Sequence, residues 1–147
     1  MIREYTPNDL EGTAQVWLRA GQAEYDYLKT FQALDETTSV DVFQRVIHET
    51  CKIWVYETNE EIIGFIAMDK NLIDRLYVDP SNQGKGVGSN LINFAKDLHP
   101  DGLILKTHVK NKRARTFYEK RGFELVKYGL SPPPESMPDV EYHWNSD

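Results

Sequence analysis

Between Val78 and Leu91 the chain reads Val-Asp-Pro-Ser-Asn-Gln-Gly-Lys-Gly-Val-Gly-Ser-Asn-Leu: a strand end, a proline turn and a glycine-laden loop leading straight into an amphipathic helix. No other segment limits the possible folds as much. Gly84, Gly86 and Gly88 let successive backbone N–H groups converge with no Cβ in the way, and the positive end of the following helix lies just beyond them. Such a strand–loop–helix unit implies an α/β architecture and a main-chain cradle for phosphate oxygens, so the expected ligand carries a pyrophosphate.

Spacing narrows the choice of ligand. A P-loop needs Gly, four spacers and Gly-Lys-Ser/Thr, but Gly84-Lys85 is followed by Gly86, and Asp79 stands where the first glycine would be. The dinucleotide pattern G-x-G-x-x-G fails as well, because Ser89 or Leu91 occupies the third glycine position in either frame. What remains is Gln83-x-x-Gly86-x-Gly88, which alone could also be a βα turn that only tightens strand–helix packing.

The 147 residues suit one domain, taken as 1–147, with room for a real core but not for two ordinary ones. Apolar residues make up 40%, and no stretch approaches ~18 consecutive apolar residues, which favours a soluble globular chain over a membrane span. The opening Met-Ile-Arg-Glu-Tyr does not read as a secretory leader. Cys51 is the only cysteine, so an intramolecular disulfide and a cysteine-based metal site are excluded, and a metal-free, cytoplasmic protein is expected.

The net charge of −6 hides an asymmetry. Lys106, Lys110, Lys112, Arg113, Arg115, Lys120 and Arg121 face Glu119 alone in residues 106–121, a local balance of +6 that leaves −12 for the rest. This run lies one helix and one strand beyond the glycine loop, where it either complements the same ligand or forms a solvated helix face. Overall acidity, without an aromatic-interleaved basic face, argues against nucleic acid.

Hydrophobic periodicity supplies the remaining elements. Ile2–Tyr5 reads as a strand and Thr6-Pro7-Asn8-Asp9 as a helix start, with Ala14, Trp17 and Leu18 on the inner stripe. Residues 21–38 carry no clear period, and Ser39 is expected to cap a second helix with Val42, Phe43, Val46 and Ile47 inward. Ile53–Glu57 and Glu61–Met68 read as a hairpin, followed by Leu72–Val78, where alternation puts Asp74, Leu76 and Val78 on one face and Ile73, Arg75 and Tyr77 on the other. A helix with Val87, Leu91 and Leu98 then runs to His99-Pro100, and Leu103–Val109 reads as a buried strand. Asn111 caps a helix carrying Ala114, Phe117 and Tyr118 that stops at Gly122, and strands at Phe123–Val126 and Val140–Trp144 close the chain. The fold class is α/β (α+β): a mixed, mainly antiparallel sheet of about six to seven strands with helices on both faces, its strand–helix–strand unit at 72–109 carrying the loop.

Leu76-Tyr77-Val78-Asp79-Pro80, Gln83-Gly84-Lys85-Gly86-Val87-Gly88 and then Asn111, Ala114, Phe117-Tyr118 and Gly122-Phe123, at this separation, resemble the GNAT superfamily of acyl-CoA-dependent N-acyltransferases. The resemblance is strongest over 62–124, and Trp17 with residues 23–28 is similar to small bacterial members. It implies the GNAT fold, with central parallel strands that splay after the signature strand, and acetyl-CoA as donor. The implied coenzyme-binding set is Tyr77, Val78, Gln83, Gly84, Lys85, Gly86, Val87, Gly88, Ser89, Asn111 and Tyr118. Tyr118 is the implied general acid for the departing thiolate, and the Val78 N–H polarises the thioester carbonyl.

Asp74 is the expected catalytic base, with Glu24 and Asp26 as alternatives. Glu24, Tyr25 and Tyr27 are expected to bind the acceptor, framed by Phe31, Tyr128 and Met137 from 21–38 and 128–138. The acceptor is a small-molecule or peptide amine, the chain a monomer or homodimer, and a non-catalytic acyl-CoA sensor on the same fold is the alternative. His48, His99, His108 and His143 show neither metal-ligand spacing nor a nucleophile partner, and Cys51 is expected as a buried small hydrophobe.

Overall fold

The strands are β1 (Ile2–Glu4), β2 (Lys52–Thr58), β3 (Glu61–Asp69), β4 (Leu72–Val78), β5 (Leu103–His108), β6 (Glu124–Leu130) and β7 (Pro138–Trp144). In this computed structural model, which describes residues 1–48, 51–133 and 135–146, they form one sheet in the order β1-β2-β3-β4-β5-β7-β6. Every pairing is antiparallel except β4–β5. The helices are α1 (Leu10–Glu24), α2 (Lys29–Gln32), α3 (Glu36–Phe43), α4 (Val87–Leu98) and α5 (Lys112–Glu119), with a π-helical turn at Gln44–His48.

The sheet separates two cores. On one side Ala14, Val16, Trp17 and Ala20 of α1, with Phe43 of α3 and Ile47 beyond it, pack on Val55, Phe65 and Ala67. On the other, Val87, Leu91, Ile92 and Ala95 of α4 and Tyr118 of α5 pack on Ile66, Leu105 and Tyr142. Because β3 lies beneath helices on both faces, Ile63 to Met68 are buried without a break. The β2–β3 hairpin closes through Asn59 and Glu60, both at positive φ (52° and 64°), as a two-residue turn matched to strand twist requires.

Several local expectations change. Asp35, not Ser39, caps α3: Thr38 N–H donates to its Oδ1 at 2.8 Å, while Ser39 is buried inside the helix with its hydroxyl donating to Glu36 O at 3.1 Å. The aperiodic stretch 21–38 holds the last turn of α1 and the short α2, whose Phe31 packs on the Trp17 ring at 5.0 Å. Thr6 and Asp9 do form the expected start, Thr6 N–H donating to Asp9 Oδ2 at 2.8 Å, but Pro7–Asp9 is a 3₁₀ turn before α1 proper. Cys51 is partly exposed rather than buried. The side chains of Val46 and His48 lie outside the described set, and with them the inward placement of Val46.

The largest departure is at β4. Ala67 pairs with Arg75 but Met68 pairs with Ile73, so Asp74 is an extra residue in the strand. That bulge breaks the alternation: Ile73 shares the α4-side core with Leu76, whereas Arg75 and Tyr77 keep the α1 side. The same defect sits where β4 leaves β5, whose pairing covers only Leu72–Ile104 and Ile73–Leu105.

Candidate active site

A cavity of about 820 Å³ occupies the gap left by this splay, between the end of α1, the loop after β4 and the start of α5. Its floor is the glycine loop. Gly84 and Gly86 adopt φ of +83° and +84°, and a Cβ at either would touch nothing within 4 Å, so they are needed for backbone conformation and leave the loop open to a ligand. Gly88 has a different reason: a Cβ there would stand 3.1 Å from the Phe117 ring and 3.7 Å from Val78.

Side chains hold the loop in place. Asp79 accepts from Ser81 N–H at 3.1 Å and Ser81 Oγ at 2.8 Å, and Arg19 Nε of α1 donates to its other oxygen at 2.8 Å. Burial opposes the charge on Asp79, but these hydrogen bonds overcome it and hold the carboxyl below its ordinary value. Gln83 reaches back to Val78 O at 3.3 Å. Arg121 lies 3.7 Å over the Phe117 ring and donates to Ser89 Oγ through Nε at 3.2 Å and Nη2 at 2.5 Å. With Lys110, Lys112 and Arg113 it rims the cavity with positive charge, so open N–H groups and cations together fit a diphosphate.

At the inner end stand an acid and two phenols. Tyr118 is 9% exposed, and burial, with Glu24 and Tyr77 nearby, pushes its phenol well above the ordinary value. Burial likewise raises Tyr77 to about 12. Glu24, at the last position of α1, is raised by burial although Asn111 Nδ2 donates to it at 2.5 Å and Arg113 lies close enough to oppose the shift. Asn111 also caps α5, its Oδ1 accepting from Ala114 N–H at 3.1 Å. Asp79 N–H donates to Ile63 O at 2.8 Å, so strand alternation turns Val78 N–H away from β3 toward the side that β5 has left.

A second, smaller cavity of about 60 Å³ shares Glu24, Leu76, Tyr77, Ala114 and Tyr118 with the first and adds Tyr25, Asp74, Arg75, Lys106 and Thr107. Beside it the loop after α1 is fastened to β5, Tyr27 Oη sharing a 2.6 Å hydrogen bond with His108 Nδ1. Lys110 lies 5.3 Å from the Tyr27 ring. Burial raises the Tyr27 phenol to about 12 and lowers His108, so this contact is between uncharged groups near neutral pH.

A family model described as an acetyltransferase (GNAT) domain matches residues 49–125, just over half of the chain. The chain belongs to the GNAT family. This GNAT N-acetyltransferase is 29% identical to the peptidyl-lysine N-acetyltransferase YjaB of Salmonella typhimurium, over 85% of its own length and 83% of the relative's. The solution structure of apo YjaB from Escherichia coli shares the fold with a TM-score of 0.81 at 23% identity, covering 98% of this chain and 96% of that one. So does PaiA N-acetyltransferase from Thermoplasma acidophilum, solved with coenzyme A, at a TM-score of 0.71 and 19% identity over 99% and 98% of the two chains.

In the GNAT chain the expected site residues divide between the cavities. Glu24, Tyr27, Tyr77, Val78, Gln83, Gly84, Gly86, Val87, Gly88, Ser89, Asn111 and Tyr118 line the larger one. Tyr25 and Asp74 line only the smaller, and Lys85 lines neither. Phe31 is in the core beside Trp17, while Tyr128, 65% exposed on β6, and Met137 line neither cavity, so the frame expected from 128–138 is not found among the described residues. Arg121 and Phe117 were hidden in the sequence, one inside a charge run and the other in an aromatic pair; the spacing 117–121, one helical turn, was the available signal. No helix among the described residues is long and apolar enough to cross a membrane.

Proposed function

We propose that this GNAT chain transfers the acetyl group of acetyl-CoA to a primary amine by direct attack, with Tyr118 as general acid and Glu24, rather than Asp74, as base. The observation that carries this reading is that Tyr118 and Glu24 line both cavities and stand where the two meet. The larger cavity suits the donor, whose bound thioester supplies an activated acyl group. Loop N–H groups at 84–88 and the Arg121 side take its diphosphate, and Val78 N–H is free to receive charge growing on the thioester oxygen. Tyr118, kept protonated by burial, holds a proton for the departing sulfur. Glu24 is raised toward the range in which a carboxylate can take a proton from an ammonium directly or through water. Asp74 reaches only the smaller cavity, 4.0 Å from Arg75 Nη1.

The names of the relatives make a peptide lysine the first acceptor to test. Thiol release from acetyl-CoA with lysyl peptides measures the reaction, and Tyr118→Phe is expected to lower turnover by roughly 10²-fold or more with the KM for acetyl-CoA little changed. Coenzyme binding without thiol release across an amine panel would instead identify a sensor, and unchanged turnover in Tyr118→Phe would remove the phenol from the mechanism.

A further inference from the structure

The smaller cavity holds two cations, Arg75 and Lys106, beside the carboxylates of Glu24 and Asp74, which is more charge than an amine alone would call for. Arg75 reaches it from β4 and Lys106 from the adjacent β5, and the two side chains are 38% and 58% exposed, so they stand at its mouth. Among the described residues the ion-pair partner of each is at the long end of the range, 4.0 Å. Of the five guanidinium donors of Arg75, the contact among the described residues is Nη1 to its neighbour's carbonyl, Asp74 O, at 3.0 Å, with the Asp74 carboxylate only at 4.0 Å. Lys106 stands 4.0 Å from Glu141, which is already shared with Lys127 at 3.9 Å and His143 at 2.7 Å.

Two partly exposed cations lining one cavity, on neighbouring strands that diverge there, offer a site for an anion carried by the acceptor itself. The geometry points to an acceptor amine presented next to a carboxylate, which in a lysyl peptide is an aspartate or glutamate beside the acetylated lysine. This inference rests on the amine-transfer reading above and names the acceptor class within it. Arg75 would take the carboxylate in its planar fork and Lys106 as a point charge, while Glu24 faces the amine. The two cations also offset locally the −6 charge of the whole chain, which would otherwise repel an acidic peptide.

Matched peptides test this with the intact chain: one with aspartate next to a single lysine, one with asparagine in its place, compared by kcat/KM in the thiol-release assay. Free lysine against cadaverine, which lacks the carboxylate, tells a free amino acid from a peptide source. The expected result is a preference of about tenfold or more for the aspartate peptide that shrinks with added salt and falls below about twofold in Arg75→Gln, with Lys106→Gln intermediate. Arg75→Glu is expected to turn the preference toward a peptide with arginine beside the lysine. Melting curves of each variant separate lost preference from lost folding, and the wild-type panel decides the matter even where a variant fails to fold. Equal rates on the two peptides would overturn the anion subsite and leave amine transfer standing. A preference undiminished in both glutamine variants would overturn the assignment to Arg75 and Lys106. No acetylation of any peptide or amine would overturn the amine-transfer reading and, with it, this one.

Discussion

The two cavities that meet at Tyr118 are made of different material. The larger is shaped by backbone: a loop whose glycines sit at positive φ, the beginnings of two helices, and a strand end whose N–H has lost its partner strand. The smaller is shaped by side chains of both charges, brought together by a one-residue bulge in β4 and by the parallel neighbour that the bulge sends away. On the proposed reading, main chain takes up what all acyl-CoA molecules have in common, whereas the charged side chains can be altered one at a time. Affinity for the donor accordingly falls, in this proposal, to one half of the splay and choice of acceptor to the other.

The contrast is broken most severely at the junction. Glu24→Gln is expected to lower turnover by roughly 10²-fold while coenzyme affinity stays within about twofold, because the proposed role of the group lost is that of a base and not of a binding contact. Its sign with pH follows from the raised carboxyl: in the wild type kcat/KM falls as pH drops through the Glu24 value and the carboxylate is lost, and the variant should lack that limb, leaving only the ionisation of the amine. A wild-type pH profile retained in Glu24→Gln would return the role to Asp74.

A smaller effect sharpens the donor side. Gly86→Ala asks an L-residue to adopt φ of +84°, which costs roughly 1–2 kcal/mol, and places a methyl group where the loop faces its ligand. Calorimetric titration should show coenzyme A binding weakened by about tenfold, with discrimination between acceptors intact. The smallest effect concerns the tie between α1 and the loop. Asp79 is held below its unfolded value, so its share of stability is present above the unfolded value and lost as pH falls through the folded one. Arg19→Ala should flatten that acid loss by at most about 1 kcal/mol, since Arg19 is half exposed and solvent screens the pair; melting curves between pH 7 and roughly pH 3 would show it.

What could be read from the chain follows the same division. Gly84, Gly86 and Asn111 announce themselves because a positive φ and a helix cap are local requirements, satisfied within a few residues of sequence. The order of strands was legible because apolar runs and turns are local too. The bulge at Asp74 was not, since a one-residue slip leaves no mark in a strand whose residues are all plausible on either face. The face of Ile73, which depended on it, moved as a result. Glu24 was visible as a candidate but not as the group beside Asn111, 87 residues away, because nothing in either neighbourhood encodes that contact. Ser39 lost its cap to Asp35 because both residue types cap well, and register with the buried Phe43 and Ile47 decided between them.

Asn111 spends the two ends of one amide on different tasks, its oxygen on the first turn of α5 and its nitrogen on Glu24. Since the two ends turn together about a single bond, whatever draws the nitrogen elsewhere also tilts the oxygen away from Ala114. A ligand that drew the nitrogen away from Glu24 would therefore fray the start of α5, and the hydrogen-exchange rate of the backbone amide at residue 114 would register it.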